Sequence, residues 1–275
     1  VTWLEAVLLG LIQGLTEFLP VSSSAHLRIA GLVLEGGKDP GAAFTAITQL
    51  GTEAAVLLYF RHDIWRIGVA WFASFTRGRE PLSPDARMGW LVLLGTVPIA
   101  LMGLAFRHAI ETSLRNLYLT ATTLILFGLL LAVADVIGRK TRQLDGMTWR
   151  DGIVLGFAQA LALIPGVSRS GGTISAGLAL GYTRAAAARY SFLLAVPAVL
   201  LSGFYQLIAS RDVTGGPSPA CLAIATLVAF GVGYGVIIVF LRIVSTRSYM
   251  PFVLYRVFAG SILLGMLSLG YIPAT

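Results

Sequence analysis

A chain of 275 residues that is 56% hydrophobic and only 12% charged cannot cover a water-facing surface, for which soluble domains use about 25% charged residues. That hydrophobicity also excludes disorder. A net charge of +7 carried in short loops between apolar runs does not form a nucleic-acid-binding surface. The single Cys221 excludes an intrachain disulfide framework and a cysteine-based metal site.

What remains is an all-α polytopic membrane protein. The first predicted element, residues 3–34, is apolar but interrupted by Glu5, Gln13, Glu17, Pro20 and Ser22-Ser23-Ser24. Clean apolar runs follow at 41–60, 89–106 and 116–137. A second interrupted region, 151–180, contains Gln159, Pro165-Gly166, Ser168-Arg169-Ser170 and Gly171-Gly172. Clean runs at 190–209, 220–243 and 251–272 complete the chain. Each of the six clean runs comes close to the ~20 residues that a crossing helix needs. Broken backbone at membrane depth survives only where protein or a wet cavity surrounds it. Both interrupted regions therefore read as re-entrant helix-loop-helix hairpins, beside six transmembrane helices.

Loop charge sets the expected orientation. Thirteen basic residues fall in 61–88, 138–150, 181–189 and 242–250, against four (Lys38, Arg107, Arg115, Arg211) in the alternate loops. The first set is assigned to the cytoplasm. Segments 107–115 and 210–219 then face outside.

The two interrupted regions resemble each other. At an offset of 146 residues, 13 of the 33 positions from 2 to 34 are identical, including Trp3/Trp149, Gln13/Gln159, Ser22/Ser168 and Ser24/Ser170. Three clean runs separate the copies, so they are expected to enter from opposite faces. The chain is read as a single membrane domain, 1–275, holding an inverted-topology repeat of about 2–137 and about 148–272. A site is expected near the midplane where the broken helices meet.

Both breaks carry chemistry. Gln13 and Glu17, four apart, share a helix face, and Pro20 ends that helix. The Ser22–Ser24 turn then leads to a returning helix bearing His26. In the second copy Pro165-Gly166 breaks the chain, and Gly171-Gly172 allows close backbone approach to a ligand. Ser168, Arg169 and Ser170 stand at a helix N-terminus, where amides, hydroxyls and a guanidinium suit phosphate.

Gln13-Gly-Leu-Thr-Glu-Phe-Leu-Pro-Val-Ser-Ser-Ser-Ala-His26 and Pro165-Gly-Val-Ser-Arg-Ser-Gly-Gly-Thr173 resemble the two signature motifs of the bacterial undecaprenyl-diphosphate phosphatases, the bacitracin-resistance family. The likeness covers nearly the whole chain in span count and motif placement. It implies an integral membrane phosphatase that cuts undecaprenyl diphosphate to the monophosphate and phosphate. That step recycles the lipid carrier for cell-wall synthesis, and the family's active site faces the outer side of the bacterial inner membrane. By motif position it implies functional roles for Glu17, Ser22, Ser23, His26, Ser168, Arg169 and Thr173. The family has Glu or Gln where this chain has Gln13, so a second acid is absent here.

The resulting expectation has Arg169, Ser168, Ser170, Thr173 and the amides at Gly171 and Gly172 binding the terminal phosphate, with Ser22 and Ser24 nearby. His26 is the candidate general acid or base. Ser23 or a water is the nucleophile. Glu17 orients it or, with the Gln13 carbonyl oxygen, ligates a divalent cation, Mg²⁺ or Ca²⁺. Expected partners are a polyprenyl diphosphate lipid and the bilayer, with a homodimer also open and no nucleic acid. The alternative is a secondary transporter or lipid flippase using the same midplane site. Outside the motifs, Gln49 and Glu53 should face the bundle interior. Arg256 is expected to snorkel to the interface, and Asp135 to be solvated.

Overall fold

The computed structural model describes residues 1–34, 41–76, 81–209 and 217–274. Its helices are α1 Trp3–Thr16, α2 Ser23–Val33, α3 Gly41–Tyr59, α4 Arg61–Ser74, α5 Pro84–Ala105, the short α6 Arg107–Glu111, α7 Leu117–Ile137, α8 Trp149–Ala160, α9 Arg169–Ala179, α10 Arg184–Ala209, α11 Pro219–Thr246 and α12 Met250–Ser268. No strand occurs among the described residues. The chain is an all-α multi-pass membrane protein. Helices α5, α7, α10, α11 and α12 are each long and apolar enough to cross a bilayer. They correspond to five of the six predicted runs.

The sixth run ends differently from the expectation. Residues 61–74, read from sequence as the start of a charged loop, form α4, which turns 80° away from α3. Arg61, His62, Asp63 and Arg66 concealed an amphipathic helix, because charge dominates a hydropathy window even when Ile64, Ile67 and Trp71 share a face. Asp63 on α4 accepts from Arg189 of α10 at 2.7 Å, and Arg66 meets Asp85 of α5 at 2.9 Å. Lys38, Arg77, Arg79 and Arg211, which entered the loop-charge argument, lie outside the described residues.

The interrupted regions fold as helix pairs, α1 with α2 and α8 with α9. The longest arm, α1, has 14 residues and reaches about 21 Å, short of the ~30 Å apolar core. The two pairs share local devices. Thr2 and Glu5 form a capping box at the start of α1, and Thr148 and Asp151 form one at the start of α8. Ser22 and Ser168, which precede the returning helices, both take φ of 72°, a left-handed conformation uncommon outside glycine. Helix α1 packs on α11, and α8 packs on α5. Both contacts use a glycine of the sequence repeat. A Cβ on Gly10 would lie 2.6 Å from the Ala225 carbonyl oxygen, and one on Gly156 would lie 2.6 Å from that of Gly95. Small residues let membrane helices approach closely.

Asp135 is not solvated. It is buried near the end of α7, accepting from Arg184 Nε at 2.6 Å and from the Tyr249 amide at 3.0 Å. It thereby ties α7 to the starts of α10 and α12. Its placement near a span end suggested water, but two cross-helix donors take that role.

Candidate active site

The tips of the two helix pairs meet. Glu17 is the C-cap of α1, with its amide bonded to the Gln13 carbonyl. Its side chain is buried. One carboxylate oxygen, Oε2, accepts from Gln13 Nε2 at 2.7 Å and from Ser23 Oγ at 2.6 Å. The other, Oε1, accepts from Arg169 Nη2 at 2.5 Å. The helical spacing of Gln13 and Glu17, the turn to Ser23 and the start of α9 thus converge on one carboxylate. Partial shielding from water strengthens the attraction within this pair relative to a fully exposed one.

The serines also correspond across the tips. Ser22 Oγ lies 3.3 Å from Ser24 Oγ, and Ser168 Oγ lies 3.2 Å from Ser170 Oγ. Ser168 caps α9 by accepting from the Gly171 amide at 3.1 Å, and Ser170 donates to the Leu19 carbonyl of the first break at 3.1 Å. Ser22 makes no side-chain cap, but its carbonyl accepts from His26 Nδ1 at 2.7 Å. Left-handed serines at both breaks hold strain of the kind that gathers at functional sites.

The structure gives the predicted residues unequal placements. Gln13, Glu17, Ser23 and Arg169 form one bonded set, and His26 sits one helical turn beyond Ser22. Thr173 is buried and turns its hydroxyl to the Arg169 carbonyl at 2.9 Å. The Gly171 amide already serves Ser168, and the Gly172 amide bonds the Ser168 carbonyl. The missing side chains of these glycines make room for protein. A Cβ on Gly171 would stand 2.8 Å from Arg256 Nη1, and one on Gly172 would stand 2.9 Å from the Ala158 carbonyl oxygen.

Arg256 overturns its sequence reading. It does not snorkel, since its side chain is fully buried. Its guanidinium donates to the carbonyls of Pro20 (2.9 Å), Leu124 (3.0 Å), Gly166 (2.8 Å) and Val167 (3.1 Å), with a longer bond to Thr123 (3.4 Å). These acceptors lie in the first break, the second break and α7. One cation therefore clamps both tips and satisfies carbonyls that the broken helices leave open. The available signal was an arginine well inside an apolar span, which is functional by default.

Glu53, on α3, is also buried and interacts electrostatically with both Arg169 and Glu17. Among the described residues its Oε1 and Gln13 Oε1 have no hydrogen-bond partner. Tyr255, which sequence reasoning did not single out, reaches His26: its hydroxyl lies 2.5 Å from Nε2.

The available ligands for a cation are all oxygens, which suits a hard divalent ion. Gln13 Oε1 is buried without a partner, and Glu17 lies beside it. Among the described residues no group of three or more His, Cys, Asp or Glu side chains is placed to hold a metal. Gln13 Oε1 and the Glu17 carboxylate are the oxygens here that a divalent cation could use.

A family model described as bacitracin resistance protein BacA matches residues 6–262. The chain is similar to undecaprenyl-diphosphatase 2 of Agrobacterium fabrum, 64% identical over 99% of this chain and 98% of that one. It is similar to the undecaprenyl-diphosphatase of an Arthrobacter species, 61% identical over 100% and 97% of the two chains. The undecaprenyl-diphosphatase of Micrococcus luteus is 59% identical, over 99% and 100%.

Proposed function

The chain belongs to the bacitracin resistance protein BacA family, and from that premise we propose that it is an integral membrane phosphatase acting on undecaprenyl diphosphate. It hydrolyses the terminal phosphoanhydride, releasing inorganic phosphate and undecaprenyl phosphate for reuse in cell-wall synthesis. The observation that carries the reading is the Glu17 carboxylate held between Ser23 and Arg169 where the two breaks meet.

The chemistry follows from those contacts. The Ser23 hydroxyl already points its hydrogen at Glu17 Oε2, the arrangement of a nucleophile with its base. As the Ser23 oxygen attacks the terminal phosphorus, Glu17 takes the proton. The anhydride P–O bond breaks, and the bond's electrons leave with undecaprenyl phosphate. Arg169 binds the equatorial oxygens, where charge gathers in the transition state. His26 positions a water that attacks the phosphoserine, its imidazole accepts the water's proton, and as the P–O bond to Ser23 breaks the leaving Ser23 oxygen takes back the proton held by Glu17. A divalent cation held by Glu17 and the Gln13 carbonyl oxygen would neutralise diphosphate charge.

Phosphate release from farnesyl or undecaprenyl diphosphate by the purified protein in detergent tests this reading. No gradient exists there, so a transporter or flippase would release none. Glu17→Gln should lower turnover by about 10²-fold or more, the scale of a lost general base. Gln13→Glu should remain active at lower cation concentration. Full wild-type activity in excess EDTA would remove the cation from the reading and leave Glu17 as base alone.

The proposed location is the bacterial inner membrane, with the site opening to the outer side. Support comes from the loop charges: Arg139, Lys140, Arg142 and Arg150 crowd one connection, whereas 107–115 carries two arginines. Single cysteines can be introduced into a Cys221→Ala background and labelled with an impermeant thiol reagent in intact cells. Positions in 107–115 should react and positions in 138–148 should not. The reverse pattern would invert the assigned orientation.

A further inference from the structure

His26 lies on α2, four residues after Ser22, with Nδ1 at 2.7 Å from the Ser22 carbonyl oxygen. A carbonyl has no hydrogen to give, so Nδ1 carries the proton. In the neutral ring Nε2 is then a bare acceptor. The atom 2.5 Å from Nε2 is the Tyr255 hydroxyl oxygen, which must therefore donate to it. The two rings also lie nearly parallel, 15° apart, with centroids separated by 5.5 Å. The lone pair that His26 would use on a proton is already occupied by a side chain of α12.

Tyr255 holds this place firmly at one end and loosely at the other. The next residue, Arg256, is bonded to carbonyls of both breaks, which fixes α12 against the site. The Tyr255 side chain itself is half-exposed. It lies on an open, mostly apolar face of α12 together with Leu254, Val257, Phe258 and Ser261. Leu254 and Phe258 point outward on this membrane helix, so the face is turned to lipid. A prenyl chain lying along α12 would press on the tyrosine ring as its diphosphate approached His26.

We infer that Tyr255 is a positioning residue that covers His26 Nε2 in the resting enzyme and is displaced when a prenyl diphosphate enters along the lipid-facing side of α12. The inference rests on the phosphatase reading above. It places the lipid's path on the α12 side of the tips. It also makes the resting site self-capped, with the imidazole in a fixed tautomer.

The test uses the full chain in detergent and farnesyl methylenediphosphonate, whose P–C–P link resists hydrolysis. Calorimetry gives its Kd for wild type, Tyr255→Phe, His26→Ala and the double variant. Tyr255→Phe keeps the ring and its stacking but removes the hydroxyl. Binding no longer has to break a hydrogen bond whose net worth is about 1 kcal/mol, so Kd should fall about fivefold. In the His26→Ala background the same substitution should change nothing, since no nitrogen remains to uncover. A merely structural tyrosine would not lose its effect with His26.

An unchanged or weaker Kd in Tyr255→Phe overturns the inference, as does a gain that persists without His26. Should Tyr255→Phe fail to fold, Tyr255→Met supports the same comparison with an apolar side chain that cannot donate. Wild-type phosphate release from farnesyl diphosphate is measured alongside. Release with no Kd difference refutes only the cover, whereas absence of both release and binding refutes the phosphatase reading.

Discussion

Replacing Arg256 with methionine should unfold the site and much of the protein with it. The guanidinium serves five buried carbonyls, on Pro20, Thr123, Leu124, Gly166 and Val167. Thr123 and Leu124 keep their intrahelical bonds within α7, but the carbonyls of Pro20, Gly166 and Val167 lie outside the helices, and each buried acceptor left without a donor costs about 1–3 kcal/mol. Lost together, the bonds to these three carbonyls remove a substantial share of the stability of a typical domain, about 5–15 kcal/mol. Arg256→Lys should be milder but still damaging, because three donors on one point cannot reach carbonyls spread over two breaks and α7. Cys221 makes the measurement direct. It is the single cysteine and it is buried, so a dye that fluoresces on thiol reaction reports unfolding as temperature rises. Arg256→Met should melt far below wild type and show negligible phosphate release. A melting point within a few degrees of wild type, with normal turnover, would mean that the breaks hold themselves together.

The sequence made the breaks visible but not the clamp. Pro20, Pro165-Gly166 and the serine runs interrupt apolar stretches, and a helix cannot pass such groups through lipid unnoticed. The convergence of Glu17 and Arg169 was readable because both lie in breaks that match at one offset. Arg256 bonds to carbonyls from three separate parts of the chain rather than to a partner side chain. No local spacing encodes such an arrangement. The snorkelling default fails because Gly171 and Gly128 leave room for the guanidinium beside α9 and α7. Asp135 was misjudged for a related reason: Arg184 and the Tyr249 amide come from helices 49 and 114 residues away.

Tyr255 and α4 were hidden differently. Tyr255 sits in an aromatic-rich apolar span, where one more phenol carries no signal until α2 delivers His26 to it across 229 residues. In α4 the charges that bind Asp63 to Arg189 and Arg66 to Asp85 also lowered the window hydropathy below that of a span. The sharp turn between α3 and α4 depends on tertiary contacts of this kind, which a linear pattern does not display. Residues inside the two matching breaks were legible, Glu17 and Arg169 included although 152 residues separate them, whereas residues outside the breaks whose partners lie across the fold were not.

Arg169→Lys should leave a folded protein that scarcely turns over. Glu17 is buried and Arg169 mostly so, and removing the arginine would strand the buried carboxylate, a loss that reaches about 3–5 kcal/mol for fully buried pairs. Arg169→Ala would therefore confuse folding with catalysis. Lysine keeps the positive charge beside Glu17 and avoids that confusion. What it loses is the planar fork: Arg169 gives one arm to Glu17 Oε1 and has further N–H groups for phosphate oxygens. A single ammonium cannot hold Glu17 and span two equatorial oxygens with the same geometry. A transition-state arginine is worth about 10³–10⁵ in phosphoryl transfer. Retaining the charge should recover part of that, so a fall in kcat of about 10²-fold or more is expected. The melting temperature, read through Cys221, should shift by only a few degrees. The split between kcat and KM then identifies the step. If Arg169 acts chiefly on the transition state, kcat falls and KM holds. If it merely binds diphosphate, KM rises and kcat holds. Near-normal values of both would reduce Arg169 to a structural partner of Glu17 and move the phosphate cradle to Ser168, Ser170 and the groups around His26.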